Sequence, residues 1–347
     1  MIETTIHRQN PMIDPAFHAW GWEIPVYLFL GGLVAGLMIL SGYHIIRALW
    51  DKDRAHGHYV TAPILSLALL TVGMGALFLD LEHKLYVWRL YLTFEVTSPM
   101  SWGSWILLLV YPALAASALL TLPQTFPKLA RRLPFCSRCA GALHDCPRVV
   151  QAIGFANMLL GVMLGIYTGI LLSTLSARPL WNSALLGPLF LFSGLSTGAA
   201  TIHLLAHVRR PDSGSDDFSD AVLSALVNWL RPPAPGHVGT QKLEHADNSF
   251  LTVELLLLGL FIVGLLSSTE VHQRAVELIL TGPYAAAFWV LVVGCGIVLP
   301  LTLQFLQAQH RIRSTVVPAL LVIGGSLALR IVIVAAGQAS AWTVASH

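Results

Sequence analysis

Charge is what this sequence has least of. Asp, Glu, Lys and Arg together make up 11% of the 347 residues, where a soluble domain carries about 25%. So few ionisable groups cannot cover a wetted surface, which excludes a water-soluble globular protein. Basic runs of the kind that bind nucleic acid are missing too: the formal net charge is +2, and the Lys and Arg residues fall in loops. Cysteine is equally sparse. Of the four, Cys136, Cys139 and Cys146 share one loop and Cys295 stands alone in an apolar run, so the thiolates of an intramembrane iron–sulphur cluster are lacking. The chain start also lacks the basic region and short apolar core of a cleavable leader, and its first apolar run is expected to remain as an anchor.

What is abundant is apolar. Hydrophobic residues make up 55% of the chain and the mean hydropathy is +0.69, gathered into runs of the roughly 20 residues that cross a bilayer. The pattern predicts an all-α polytopic membrane protein with eight spans, at 22–46, 61–81, 103–122, 149–175, 184–208, 248–268, 284–308 and 315–338. Gly and Pro inside them are tolerable because neighbouring helices satisfy the freed backbone groups. The longest polar connection, 209–247, is punctuated by Pro211-Asp212-Ser213-Gly214 and Pro232-Pro233-Ala234-Pro235-Gly236, which read as loop. Its stretch 218–230 is patterned as a short amphipathic helix on the membrane surface. Loops after spans one, three, five and seven hold 14 of the 20 Lys and Arg residues, the opposite loops hold five, and Arg330 lies inside the last span. The positive-inside rule then predicts a multi-pass protein of a bacterial inner (cytoplasmic) membrane with both termini in the periplasm.

Gly32-Leu33-Val34-Ala35-Gly36 in span one is echoed by Gly194-Leu195-Ser196-Thr197-Gly198 in span five, each after a proline, Pro25 or Pro188, at the outer entrance of its helix. Two readings are open: a parallel repeat relating spans one to four to spans five to eight, or ordinary packing of small residues between helices.

Charge inside a membrane costs roughly 2.5–3.5 kcal/mol on insertion scales, so its location is informative. The outer ends of the first four spans are unusually polar. Span one enters with Trp20-Gly21-Trp22-Glu23-Ile24-Pro25-Val26-Tyr27, span two leaves with Asp80-Leu81-Glu82-His83-Lys84, and span four leaves with Tyr167-Thr168-Gly169 before Arg178-Pro179-Leu180-Trp181-Asn182. Acids, phenols and a guanidinium beside apolar helix walls suit a quinone, whose head needs hydrogen-bond donors, whose tail needs lipid and whose reduced form must lose two protons. Carboxylates in a poorly solvated site accept protons readily, which makes Asp80 and Glu23 the candidate acceptors. The competing reading is a belt of interfacial anchors, and for the tryptophans it is the better one.

The sequence resembles the NrfD / polysulphide-reductase membrane-subunit family of quinol dehydrogenases. The resemblance is carried by Trp22-Glu23-Ile24-Pro25-Val26-Tyr27-Leu28-Phe29-Leu30-Gly31-Gly32, Thr97-Ser98-Pro99-Met100-Ser101-Trp102-Gly103-Ser104-Trp105, Tyr167-Thr168-Gly169, Arg178-Pro179-Leu180-Trp181-Asn182, Ser193-Gly194-Leu195-Ser196-Thr197-Gly198-Ala199-Ala200 and Ala336-Gly337-Gln338. It implies two four-helix bundles, 1–183 and 184–347, the second with the cytoplasmic loop 209–247. A quinone or quinol (menaquinone or ubiquinone) would bind as substrate near the outer face of the first bundle. It implies no haem or iron–sulphur cluster within this chain. Electrons would pass to a ferredoxin-like iron–sulphur subunit on the periplasmic side and on to a molybdenum or multihaem catalytic subunit. By position, Tyr167 is the expected hydrogen-bond partner of the quinone. Tyr27 stands where some relatives place a His, and His18, slightly upstream, is the alternative. Arg178 and His83 are further candidates at the same face.

Other constellations carry weaker expectations. Cys136, Cys139 and Cys146 form a C-x2-C-x6-C pattern with His144 as a conceivable fourth zinc ligand, beside the simpler reading of free thiols. His44, His203 and His207 lie at the inner ends of spans one and five, so a haem b anchor stands as an alternative function. A secondary transporter is the other, and would place its site at the midplane. Glu254 in span six and Arg330 in span eight are the deepest remaining charges, and are the candidates for a proton path.

Overall fold

A helix closes its backbone hydrogen bonds within itself, which is what allows it to cross hydrocarbon. The computed structural model describes residues 20–49, 57–81, 83–92, 94–132, 134–175, 177–208, 238–309 and 315–340. Among them every regular element is helical, and eight helices are long and apolar enough to span a membrane. They are span one Glu23–Ala48, two Tyr59–Asp80, three Pro99–Thr125, four Pro147–Ser173, five Leu186–Ala206, six Ala246–Leu266, seven Ala287–Gln307 and eight Val317–Ala339. The expected spans are thus present, each within a few residues of its predicted ends. The expected surface helix at 218–230 and most of the 209–247 loop lie outside the described residues. The near face is the one where span one begins.

Spans one to four pack around one another, as do spans five to eight, and spans one and five carry the contact between the two groups. These two are also the most enclosed, with 83% and 72% of their apolar windows buried against 28–56% for the others. Their glycines explain the enclosure. A side chain on Gly36 would strike the backbone of Gly194 and Gly198, and one on Gly194 would strike Gly32. The two similar segments noticed in the sequence are therefore one interface, in which absent side chains let two helix backbones touch.

Several hydroxyls on the spans bond within their own helices: Thr121 and Thr125 donate to the carbonyls of Ser117 and Thr121 at 3.0 Å each, and Thr201 to that of Thr197 at 2.8 Å. Span seven departs from regular geometry. Residues Ala287–Val298 form a π-helix that passes into an α-helix at Leu299. The wide turns precede Pro300, whose ring in an α-helix would clash with the carbonyl of Gly296. Gly296 in turn meets Gly325 of span eight backbone to backbone.

Short helices close the ends. On the near face Glu270–Leu280 buries His272, Ala275, Val276 and Ile279 over the second group, the i, i+3, i+4, i+7 spacing of an amphipathic helix. The far face carries Pro127–Arg132 and Pro134–His144. The link from span four to span five is fastened across the near face. Arg178 Nη1 donates to the Ser340 carbonyl at 2.9 Å, and Trp181 Nε1 to that of Ile333 at 2.8 Å. The Trp181 indole stacks on Trp20 at 5.2 Å and fills the space where a side chain on Gly337 would be. Gln338 then clamps the Trp20 backbone, accepting from its N–H and donating to its carbonyl at 3.1 Å each.

Candidate functional site

The near-face end of the first group gathers side chains that apolar packing alone does not require. Tyr27 lies one turn into span one and Tyr167 near the end of span four, only 3% and 6% exposed. The Tyr167 ring and hydroxyl occupy the place where a side chain on Gly103 of span three would be, and Gly73 of span two faces the ring of Tyr27. The missing side chain of Gly103 thus makes room for the Tyr167 phenol. Tyr27 and Tyr167 interact electrostatically with each other and with Tyr91, from the connection between spans two and three, and Tyr27 also with Tyr111 of span three. Val34, Leu107, Val110 and Leu164 pack in one apolar cluster with Tyr167.

Among the described residues neither the Tyr27 nor the Tyr167 hydroxyl has a hydrogen-bond partner. Neither hydroxyl oxygen is among the fully enclosed unpaired polar atoms, so both keep open space in which to meet the oxygens of an incoming ring. Nearer the water, Asp80 ends span two and Glu23 begins span one, both half-buried and close enough to repel each other. The Glu23 carboxylate folds back over Gly21 and sits in the first turn of its helix, where the helix dipole favours negative charge. Phenols beneath a carboxylate pair can hold a polar ring and take up its protons.

The structure pairs Tyr27 with Tyr167 and Asp80 with Glu23, and span one joins the two pairs, Tyr27 lying one turn after Glu23. Arg178 is engaged elsewhere, in the link that ties span eight to the bundle. His83 is exposed, with its ring edge-on to Tyr86 at 6.4 Å. His18 lies outside the described residues. Tyr91 and Tyr111 were not anticipated from sequence; an aromatic at mid-span and another in a loop carry no mark of shared position until the chain folds.

A second polar site lies deep in the other group. Arg330, fully buried, donates to the Ser193 hydroxyl, to the Ser326 hydroxyl at 3.2 Å and to the Phe190 carbonyl at 3.0 Å. Its guanidinium lies 4.4 Å from the Phe190 ring centre and reaches the backbone of Gly32. Glu254 accepts from Ser196 at 3.0 Å and interacts electrostatically with Arg330. Two buried charges of opposite sign, bridged by hydroxyls, offset most of the cost of either alone.

On the far face Cys136 and Cys139 share the helix Pro134–His144, Cys146 lies beyond its end, and His144 Nε2 is 3.2 Å from the Leu120 carbonyl. Among the described residues no three His, Cys, Asp or Glu side chains are placed to hold a metal ion. His44 stacks on Tyr59 with ring centres 4.0 Å apart.

The sequence pattern of the family described as "Polysulphide reductase, NrfD" matches residues 10–226 and 238–341. The chain belongs to the NrfD family. It is 30% identical over 332 residues to the C chain of the polysulfide reductase of Wolinella succinogenes, covering 92% of this protein and 94% of that one. It is 29% identical to protein NrfD of Escherichia coli over 336 residues, 93% and 97% of the two proteins. A more distant likeness, 23% over 318 residues, joins it to the C subunit of the selenate reductase of Mesobacillus selenatarsenatis, at 86% and 69%. The chain is thus a membrane subunit of a respiratory oxidoreductase, like the relatives whose names make them subunits of polysulfide and selenate reductases.

Proposed function

We propose that this NrfD-family chain is the quinol-binding subunit of its complex and works at the near face, which is the periplasmic side of a bacterial inner membrane. The observation that carries the reading is the pair of buried phenols, Tyr27 and Tyr167, whose hydroxyls have no hydrogen-bond partner among the described residues beneath the Asp80 and Glu23 carboxylates. Tyr167 and Tyr27 hold the head group of menaquinol or ubiquinol. Oxidation of a quinol to a quinone releases two electrons and two protons. The carboxylates accept the protons and pass them to water at the near face. The electrons leave for an extrinsic ferredoxin-like iron–sulphur subunit and from it reach a molybdenum or multihaem catalytic subunit; reduction of a quinone runs the same steps backward. The Glu254–Ser196–Ser193–Arg330 series in the second group supplies protonatable and hydroxyl groups for moving protons through the membrane.

Quinol oxidation by the assembled complex, in membranes across a pH series, tests this. Tyr167→Phe removes one hydroxyl and keeps the ring, so quinol binding should weaken roughly two- to tenfold, the worth of a hydrogen bond of about 0.5–1.5 kcal/mol. Asp80→Asn should lower turnover more than binding, because it removes a proton acceptor. Wild-type behaviour of both variants, with normal assembly, would leave the polar cluster an interfacial anchor. In sealed vesicles Glu254→Gln should diminish proton movement across the membrane while quinol oxidation continues; unchanged proton movement removes the second group from the path.

A further inference from the structure

The connection between spans two and three, residues 83–98, crosses the near face. Of its side chains with described burial only Val87, Tyr91 and Ser98 are not exposed. Val87 and Tyr91 are four residues apart across a short helical segment, so one side of the connection is turned inward. Three ties fasten it to the head of span three. The Glu95 N–H donates to Ser101 Oγ at 3.0 Å, Trp102 Nε1 donates to the Val96 carbonyl at 2.8 Å, and Phe94 meets Trp105 edge-on at 5.6 Å. The residue after Trp102 is Gly103, on whose bare backbone the Tyr167 phenol rests. One turn of span three therefore holds both the strap and the buried phenol, and it brings Tyr91 within electrostatic reach of Tyr167 and Tyr27.

A quinol ring carries its two oxygens at opposite ends, so hydrogen bonds to both must come from different directions. Tyr27 and Tyr167 belong to spans one and four, which pack against each other and approach a ring from the bundle interior. Tyr91 comes from the strap across the mouth. We propose that Tyr91 is a third head-group-binding residue, its hydroxyl meeting the quinol oxygen left unsatisfied by Tyr27 and Tyr167. This assignment rests on the reading of the phenol cluster as a quinol site. Burial and the neighbouring Tyr111 phenol push the Tyr91 hydroxyl above its ordinary range, so it keeps its proton and remains a donor.

The test is binding of a fluorescent hydroxyquinoline N-oxide, a quinol analogue, to the full-length protein in its native membranes. Wild type is compared with Tyr91→Phe, Tyr167→Phe and Tyr86→Phe, the last an exposed phenol on the same strap. Tyr91→Phe should weaken binding roughly two- to tenfold, as Tyr167→Phe does, and Tyr86→Phe should leave it unchanged. A loss in Tyr167→Phe with none in Tyr91→Phe overturns the assignment of Tyr91 and leaves the quinol site standing. No loss in either overturns both. An equal loss in Tyr86→Phe marks a disturbed strap and likewise overturns the assignment.

Discussion

Gly103 decides where the Tyr167 phenol can lie, because the phenol fills the volume a side chain there would need. Gly103→Val should therefore expel the phenol, destabilise the protein and abolish quinol-analogue binding. Gly141→Val is the comparison, since nothing stands within 4 Å of the Cβ it would add. Thermal unfolding in detergent and analogue titration measure the two effects, and a stable, binding-competent Gly103→Val would show that the phenol has another resting place. Tyr167, Tyr27, Asp80 and Glu23 stand out as candidates in the sequence because charge and phenols are rare at helix ends in so apolar a chain. The role of Gly103 does not: within Ser101-Trp102-Gly103-Ser104-Trp105 it is one small residue among others, and only the approach of another helix gives it meaning. Arg178 shows the converse. A guanidinium at the expected face looks functional on paper, but the Ser340 carbonyl that engages it lies far along the chain.

Among the helices, spans one and five behave as a single unit. Replacing Gly198 by Ile should separate them, because a Cβ there already meets the backbone of Gly36 and Leu37. A lowered yield of folded protein and a lower melting temperature are expected, against near-neutrality for Gly259→Ile, where the added carbon meets nothing within 4 Å. Equal behaviour of the two variants in a detergent melting series would deny the interface its importance. Hydropathy alone marked all eight spans, since length and apolar character are properties of consecutive residues. It did not mark the helix Glu270–Leu280, whose polar outer side, including the Glu270–Arg274 pair at 3.6 Å, hid an apolar inner one. The π-helical turns of span seven were equally invisible, because they answer to Pro300 and to contact with Gly325 rather than to composition.

For the molecule as a whole, the distribution of Lys and Arg predicts a direction in the membrane. Cys146 is exposed on the far face, so a membrane-impermeant maleimide should label it only after cells are opened, while a cysteine placed at Leu85, 87% exposed on the near face, should react in intact cells. Labelling in the reverse pattern would invert the orientation and move the phenol cluster to the cytoplasmic side. Three sequence-distant motifs, at Trp20, at Arg178–Trp181 and at Gly337–Gln338, proved to be one contact across the near face. Arg330 has a consequence for how the protein is made. It lies in span eight, and most of its partners, Phe190, Ser193 and Glu254, belong to segments synthesised earlier. Span eight thus enters the bilayer carrying a charge that already docked spans five and six accommodate, and its insertion inspects the assembly of what came before.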